Sequence, residues 1–169
     1  MNTKANNFTT ARLTLQPLTE TDAAFICELV NSSGWIEFIG DRNVRSIADS
    51  IAYIQKINNN KNITYWTVKI KENQIAIGVV TFIKRDYLEH HDLGFAFLPQ
   101  FSKKGYAYEA AKAVLDFYLS QHLHTAILAS TLPHNINSTR LLEKLGFGFT
   151  KVMLISNKKL LIYTIEKKD

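Results

Sequence analysis

The run Lys103-Lys104-Gly105-Tyr106-Ala107 has the residue types and the order that can seat an anion. It lies between an apolar stretch, Asp92 to Leu98, closed by Pro99, and a stretch from Tyr108 to about Gln121. In the latter, Ala110, Ala111, Val114 and Tyr118 share a helical face with Ala107. The order is strand, turn, helix. The first N–H groups of a helix have no intrahelical partner and lie at the positive end of its dipole, and no proline removes a donor between Lys103 and Ala107. Gly105 and Ala107 keep side-chain bulk off the approach, so a phosphate group fits. One glycine after a strand also makes an ordinary turn, and the rest of the chain has to choose between the two readings.

Other chemistry is less well provided for. His90, His91, His122, His124 and His134 show no ligand spacing supported by Cys or carboxylates, so no metal is expected; His90 or His91 could instead rim a substrate cleft. The single cysteine, Cys27, falls within an apolar helical pattern, which excludes a disulfide framework. It reads as a buried, inert thiol in a reducing, cytoplasmic setting. No window has the length of a membrane span and the N-terminal residues lack an apolar signal core, so no membrane partner is expected. A net charge of +5 draws anionic partners without separating a nucleotide cofactor from nucleic acid. The basic residues are scattered rather than run together with aromatics, so no specific nucleic acid is expected.

The elements that must position the turn follow from periodicity. With 169 residues and 46% hydrophobic content the chain suits one domain, 1–169, with about 1–8 and 166–169 loose. Arg12 to Gln16 alternates as a short strand ended by Pro17. Ala23 to Val30 is a helix capped from Thr19 and stopping before Gly34, and Ser46 opens a second helix striped by Ile47, Ile51, Ile54 and Ile57. Between these helices, Trp35 to Asp41 is expected to be a connection whose aromatics either line a cleft or plug the core. Tyr65–Ile70 and Ile75–Ile83 form a hairpin around Lys71 to Gln74, with Gly78 marking a close approach or a bulge. Past the long helix, Thr125 to Leu132 is a strand parallel to the Asp92 strand. Asn135 to Gly146 is a short helix closed by a C′ glycine, and Phe149 to Ile165 is a final hairpin. The expected fold is α+β: a mixed, mostly antiparallel sheet of about six to seven strands flanked by about four helices.

Three motifs together resemble the GNAT family of N-acetyltransferases, and within it the branch acting on ribosomal-protein N-termini. They are Thr10-Ala-Arg12-Leu-Thr-Leu-Gln-Pro-Leu18, Asp92-Leu-Gly-Phe95 with Gly105-Tyr-Ala-Tyr-Glu-Ala110, and Asn135-x-x-Ser138-x-x-x-x-Glu143-Lys-Leu-Gly-Phe147. The resemblance implies acetyl-CoA as co-substrate, held by Phe95, Phe97 and Leu98 of the strand, by Lys103, Lys104, Gly105, Tyr106 and Ala107 of the turn, and by Asn135 and Ser138 of the later helix. Two departures stand out. Ser102 replaces the family's long polar residue and Lys103 stands where many members have glycine, so the Lys103 backbone must take a conformation that an L-residue can reach. Leu142 occupies the position of the tyrosine that protonates the leaving thiolate in many members, and leucine has no proton to give.

The resemblance further implies Asp92 as general base, direct or through water, against the alternative that it merely ends a strand. It offers Ser138 as thiolate acid, against the alternative that it only supports the helix cap, and it places an oxyanion donor on the backbone near Phe95 to Phe97. Glu109, in the first turn of its helix, reads as structural. The implied activity is acetyl transfer to a primary amine, foremost the α-amine of a protein or peptide N-terminus, in a monomer or homodimer. A small amine such as a polyamine or amino sugar, or a non-catalytic acyl-CoA or RNA-binding role, are the alternatives.

Overall fold

The computed structural model describes residues 5–121 and 123–167. Two sequence periods generate it: alternating apolar runs build one sheet, and stripes at helical spacing build the helices that cover its faces. In chain order the elements are β1 (Phe8–Thr9), β2 (Leu13–Pro17), a 3-10 turn (Glu20–Asp22), α1 (Ala23–Val30), α2 (Ser33–Phe38), α3 (Ile47–Asn58), β3 (Ile63–Ile70) and β4 (Ala76–Ile83). Then come β5 (Asp92–Phe97), a second 3-10 turn (Pro99–Phe101), α4 (Tyr106–Ser120), β6 (Ala126–Thr131), α5 (Ile136–Lys144), β7 (Gly148–Ile155) and β8 (Lys158–Glu166). The eight strands are ordered β1-β2-β3-β4-β5-β6-β8-β7. Among the described residues only β5 and β6 run parallel, as expected for strands joined by a helical crossover.

Each face of the sheet has its own core. Leu13, Leu15, Trp66, Val68 and Phe82 pack with Ala110, Ala111, Val114 and Leu115 of α4 on one face. Leu18 and Val79 pack with Ile26, Leu29, Ile54 and Ile57 of α1 and α3 on the other. Fully burying side chains of this size contributes roughly 1.5–3 kcal/mol each, and the two layers hold β4 and β5 rigid between them. Among the described residues, no helix is long and apolar enough to cross a membrane.

Three expectations need correction. The expected connection after α1 is itself a helix, α2, which includes Gly34 and starts from Ser32 in extended conformation. Trp35 is buried against α1 and α3, so that this short helix is held by packing rather than by propensity. Residues up to 8 are not all loose: Phe8 packs edge-on against Trp66 and Phe117, and Trp66 Nε1 donates to the Asn6 carbonyl at 2.7 Å. Cys27 is half-buried at the edge of the α1 core rather than enclosed. Gly78 proves to be both things its position allowed. The β3–β4 register shifts beside it, at Val68/Lys69, and a Cβ on it would lie 2.4 Å from Phe97 Cδ1.

Candidate active site

The site begins where β5 and β6 part. Their ladder consists of one pair, Asp92 with Leu128, after which the strands diverge, while β5 remains fully paired with β4 on its other side. The β6-facing backbone groups of β5 between Leu93 and Phe97 thus open onto a cavity of about 1130 Å³. Gly94 borders it, and a side chain there would strike Thr81 Oγ1, 2.5 Å from the place of a Cβ.

At one end of the cavity lies the turn. Gly105 is the N-cap of α4 with φ +79°, no side chain caps the helix, and the first backbone bond over it is Glu109 N–H to the Gly105 carbonyl at 3.1 Å. Donors in the first turn of this 15-residue helix are therefore available to an anion. Lys103 has φ +60°, the left-handed conformation that an L-residue reaches at a cost of roughly 1–2 kcal/mol. Ser102 borders the cavity, but its hydroxyl is committed to the backbone: it donates to the Pro99 carbonyl at 2.7 Å and closes the preceding 3-10 turn.

A strut from the N-terminal strand holds the turn. Glu109 accepts from the Thr10 hydroxyl at 2.6 Å, from the Arg12 backbone N–H at 2.9 Å and from Arg12 Nε at 2.7 Å. Arg12 Nη1 then donates to the Lys104 carbonyl at 3.0 Å, and the guanidinium lies 4.5 Å above the Tyr106 ring. Burial pushes the Glu109 carboxyl up, but the Thr10 hydroxyl and the Arg12 donors outweigh it and hold the pKa below its usual value.

At the opposite end Asp92 is 3% exposed. Its Oδ2 accepts from Arg85 Nε at 2.6 Å, while Oδ1 finds no partner among the described residues. Burial raises the Asp92 pKa against the lowering pull of Arg85, so the carboxylate is a better proton acceptor than an exposed aspartate. Ser138 also lines the cavity, from the first turn of α5. Its N–H donates to Asn135 Oδ1 at 3.2 Å, which makes Asn135 the α5 cap, and its hydroxyl bonds no other described residue. Leu142 is buried in the core beneath α5. Beside it, Tyr108 of α4 lines the cavity with Lys144 Nζ 4.4 Å above its ring.

Of the residues expected at the site, Asp92, Phe95, Phe97, Lys103, Gly105, Tyr106, Ala107, Asn135 and Ser138 border this one cavity. Leu98 does not: its side chain is buried among the α1–α3 residues and its N–H is already donated to the Ile77 carbonyl at 2.9 Å. Lys104 does not either; its ammonium lies 5.7 Å from the Phe101 ring centroid and its carbonyl belongs to Arg12. His90 and His91 are also off the rim, and His91 stacks on Phe82 at 4.7 Å between ring centroids. Trp35 and Phe38 of α2 line the cavity, one of the two roles their sequence allowed, while sequence reasoning missed Arg42 in the loop before α3, Tyr53 and Lys56 of α3, Tyr65 of β3, and Arg85. His134, before α5, reaches across to α2, 3.7 Å from Glu37 Oε1 and 5.3 Å between ring centroids from Phe38, so α2 arches over the opening.

Comparison with known proteins agrees with this geometry. Residues 12–148 match the model of the acetyltransferase (GNAT) domain family. An uncharacterized N-acetyltransferase of Bacillus subtilis, YnaD, is 30% identical over 149 residues, which cover 86% of each chain. Among solved structures, the ribosomal-protein-S5-alanine acetyltransferase of Vibrio fischeri superposes with a TM-score of 0.80 at 16% identity over 98% of each chain. The microcin C7 self-immunity acetyltransferase MccE, solved with acetyl-CoA and AMP, does so with a TM-score of 0.80 at 20% identity over 93% of each chain.

Proposed function

Because this chain belongs to the acetyltransferase (GNAT) domain family, we propose that it moves the acetyl group of acetyl-CoA to a primary amine, foremost the α-amine of a peptide or protein N-terminus. The observation that carries the reading is the single cavity joining an uncapped helix N-terminus to a buried carboxylate with a free oxygen. The first end fits a pyrophosphate, and the parted β5 backbone fits the extended amide chain that follows it. Acetyl-CoA, when bound, supplies the activated acyl thioester.

Transfer then needs a neutral amine, a donor for the carbonyl oxygen, and a proton for the departing sulfur. Asp92 Oδ1 accepts the ammonium proton, directly or through one water, and Arg85 fixes the carboxylate through Oδ2. A backbone N–H between Phe95 and Phe97 polarises the carbonyl. The Ser138 hydroxyl, without a partner among the described residues, gives its proton to the departing thiolate and regains through water the one shed by the nitrogen as it becomes an amide. An α-amine with a pKa of about 7.7–8.0 suits so weak a base better than a lysine near 10.4.

Thermal unfolding with and without acetyl-CoA and CoA tests the cofactor half. A ligand at 100 times its dissociation constant stabilises by about 2.7 kcal/mol, and no shift with either would sink the proposal. CoA thiol release over a panel of peptides and small amines tests the acceptor half.

A further inference from the structure

The acceptor end of the cavity carries more positive charge than an amine acceptor needs. The charged residues that line the cavity are Arg42, Lys56, Arg85, Lys103 and Lys144 with the carboxylates Glu37 and Asp92. Asp92 is already matched by Arg85, and Glu37 faces His134 across the opening. Arg42 and Lys56 make no hydrogen bond or ion pair with any described residue. Arg85 uses only Nε on Asp92, which leaves its two Nη groups unbonded. The Trp35 indole N–H, in a residue 4% exposed, likewise has no acceptor among the described residues. Three cationic groups therefore border one cavity without a partner among the described residues, beside the unpartnered Asp92 Oδ1 and the half-exposed Glu37 carboxylate.

The loop that presents Arg42 is built rather than slack. Gly40 has φ +109° and Asn43 has φ +56°. Asp41 accepts from Asn43 N–H at 2.8 Å and is bridged by both Nη groups of Arg45, whose Nη1 also donates to Asn31 Oδ1 at 3.1 Å. Asn31 Nδ2 in turn donates to the Cys27 carbonyl at 2.7 Å and the Val44 carbonyl at 2.8 Å. Asp41 and Arg45 are committed to bonds within this loop, whereas Arg42 lines the cavity. Tyr65 lines the same cavity as Arg42 and Arg85.

We propose that this chamber selects amines that also carry an anionic group, a carboxylate or a phosphomonoester, held by Arg42, Lys56 and the free Nη groups of Arg85 while the amine meets Asp92 Oδ1. Paired guanidinium donors suit the planar, bidentate geometry of such anions. The inference rests on the acetyl-transfer reading above and names its acceptor: an N-terminus followed closely by acidic or phosphorylated side chains, rather than a polyamine.

The experiment compares matched peptide amides, Ser-Glu-Glu, Ser-Gln-Gln and Ser-Lys-Lys, with a fourth in which phosphoserine replaces the second residue. CoA thiol release gives kcat/KM for each. The acidic peptide is expected to exceed its glutamine isostere by about tenfold or more, and Arg42→Gln to bring that ratio close to one. Lys151→Gln removes the same charge from exposed β7 outside the cavity and leaves the ratio intact, which separates a local site from the general field. The glutamate and phosphoserine arms tell carboxylate from phosphate. Equal rates across the charge series, preference for the lysine peptide, or a ratio unmoved in Arg42→Gln would overturn the inference while leaving acetyl transfer standing. If no amine releases thiol, the acetyl-transfer reading fails instead. Fluorescence titration of the same peptides onto the CoA-bound protein then decides: acid-selective binding lost in Arg42→Gln upholds the charged chamber, and its absence overturns it.

Discussion

Glu109→Ala removes the strut between the N-terminal strand and the phosphate turn, and its cost can be worked from the contacts. The change leaves the Arg12 N–H without its acceptor and the Thr10 hydroxyl with only the Leu13 carbonyl at 3.4 Å, a penalty of about 1–3 kcal/mol. The Arg12–Glu109 ion pair adds under ~1 kcal/mol, because Arg12 is 47% exposed. Loss of a carboxylate from the first turn of α4 costs a further ~0.3–1 kcal/mol, which the better helix propensity of alanine partly offsets. The sum is about 2–3 kcal/mol, a fall in Tm of roughly 5–10 °C for a domain of this size. Function should separate from stability. Arg12 loses its orientation and with it the bond from Nη1 to the Lys104 carbonyl, so the KM for acetyl-CoA rises while kcat at saturation changes far less. Native Glu109 has a depressed pKa, so its contribution is complete above its ordinary value of 4.5 and is lost as pH falls through the lower native value. The Tm gap between the parent and Glu109→Ala should therefore close on acidification below about pH 4.5. A variant within 1–2 °C of the parent, or one with unchanged KM, would refute the strut; these outcomes are set against the 2–4 °C expected per kcal/mol.

Asp92→Asn should lower kcat/KM by about 10²–10⁴ and remove the acidic limb of its pH profile, while CoA still raises the melting temperature; full activity would strip Asp92 of the base role. Lys103→Gly relieves a left-handed residue at ~1–2 kcal/mol but loosens the unfolded chain by ~0.4–1 kcal/mol, so chemical denaturation should show a net gain under about 1.5 kcal/mol. Lys103→Val, β-branched at φ +60°, should destabilise, and the reverse order of these two variants would contradict the backbone observed. His91 is held down to about 4 by burial, with further lowering from His124, Lys84 and His90. Its unfolded form binds a proton near pH 6.5, so stability is intact above that pH and declines toward pH 4. Because the ring is only partly enclosed, the loss is discounted to about 1–2 kcal/mol. His91→Phe should flatten that part of the stability–pH curve, as followed by urea midpoints.

The end of the site to which we assign the cofactor was legible in the sequence because it is made of local backbone. A strand stopped at Pro99, a glycine at the helix start and an Asn cap three residues before Ser138 are all short-range patterns. What remained hidden depends on partners far apart in the chain. The Glu109 strut joins residues 97 to 99 positions apart, and the acceptor chamber draws on α2, the loop before α3, α3, β3 and the β4–β5 connection. Leu98 looked available as a donor, but whether its N–H is free depends on Ile77 across the sheet. The helix around Trp35 escaped notice because six residues containing a glycine have little propensity, and only burial of the indole makes them helical.

The distribution of left-handed backbone bears on whether the acceptor end is as deliberate as the cofactor end. Among the described residues, positive φ occurs at Gly40, Asn43, Gln74, Lys103, Gly105, Gly146, Ser156 and Asn157. Gln74, Ser156 and Asn157 lie in the turns of two hairpins, where the strand twist calls for such residues. Gly146 closes α5, which carries Ser138. The other four form two pairs, Lys103 with Gly105 at the phosphate turn and Gly40 with Asn43 around Arg42. Non-glycine residues persist in this conformation only where their surroundings over-determine it. At Lys103 the Arg12 strut does so, and at Asn43 the Asp41–Arg45–Asn31 bonds do so. The same device thus fixes one residue run at each end of the cavity, with Arg42 standing at the acceptor end where Lys103 stands at the other. An Arg42 kept so placed for no ligand would waste that order, and for this reason the charge-matched peptide series is the measurement that bears most directly on what the enzyme acetylates.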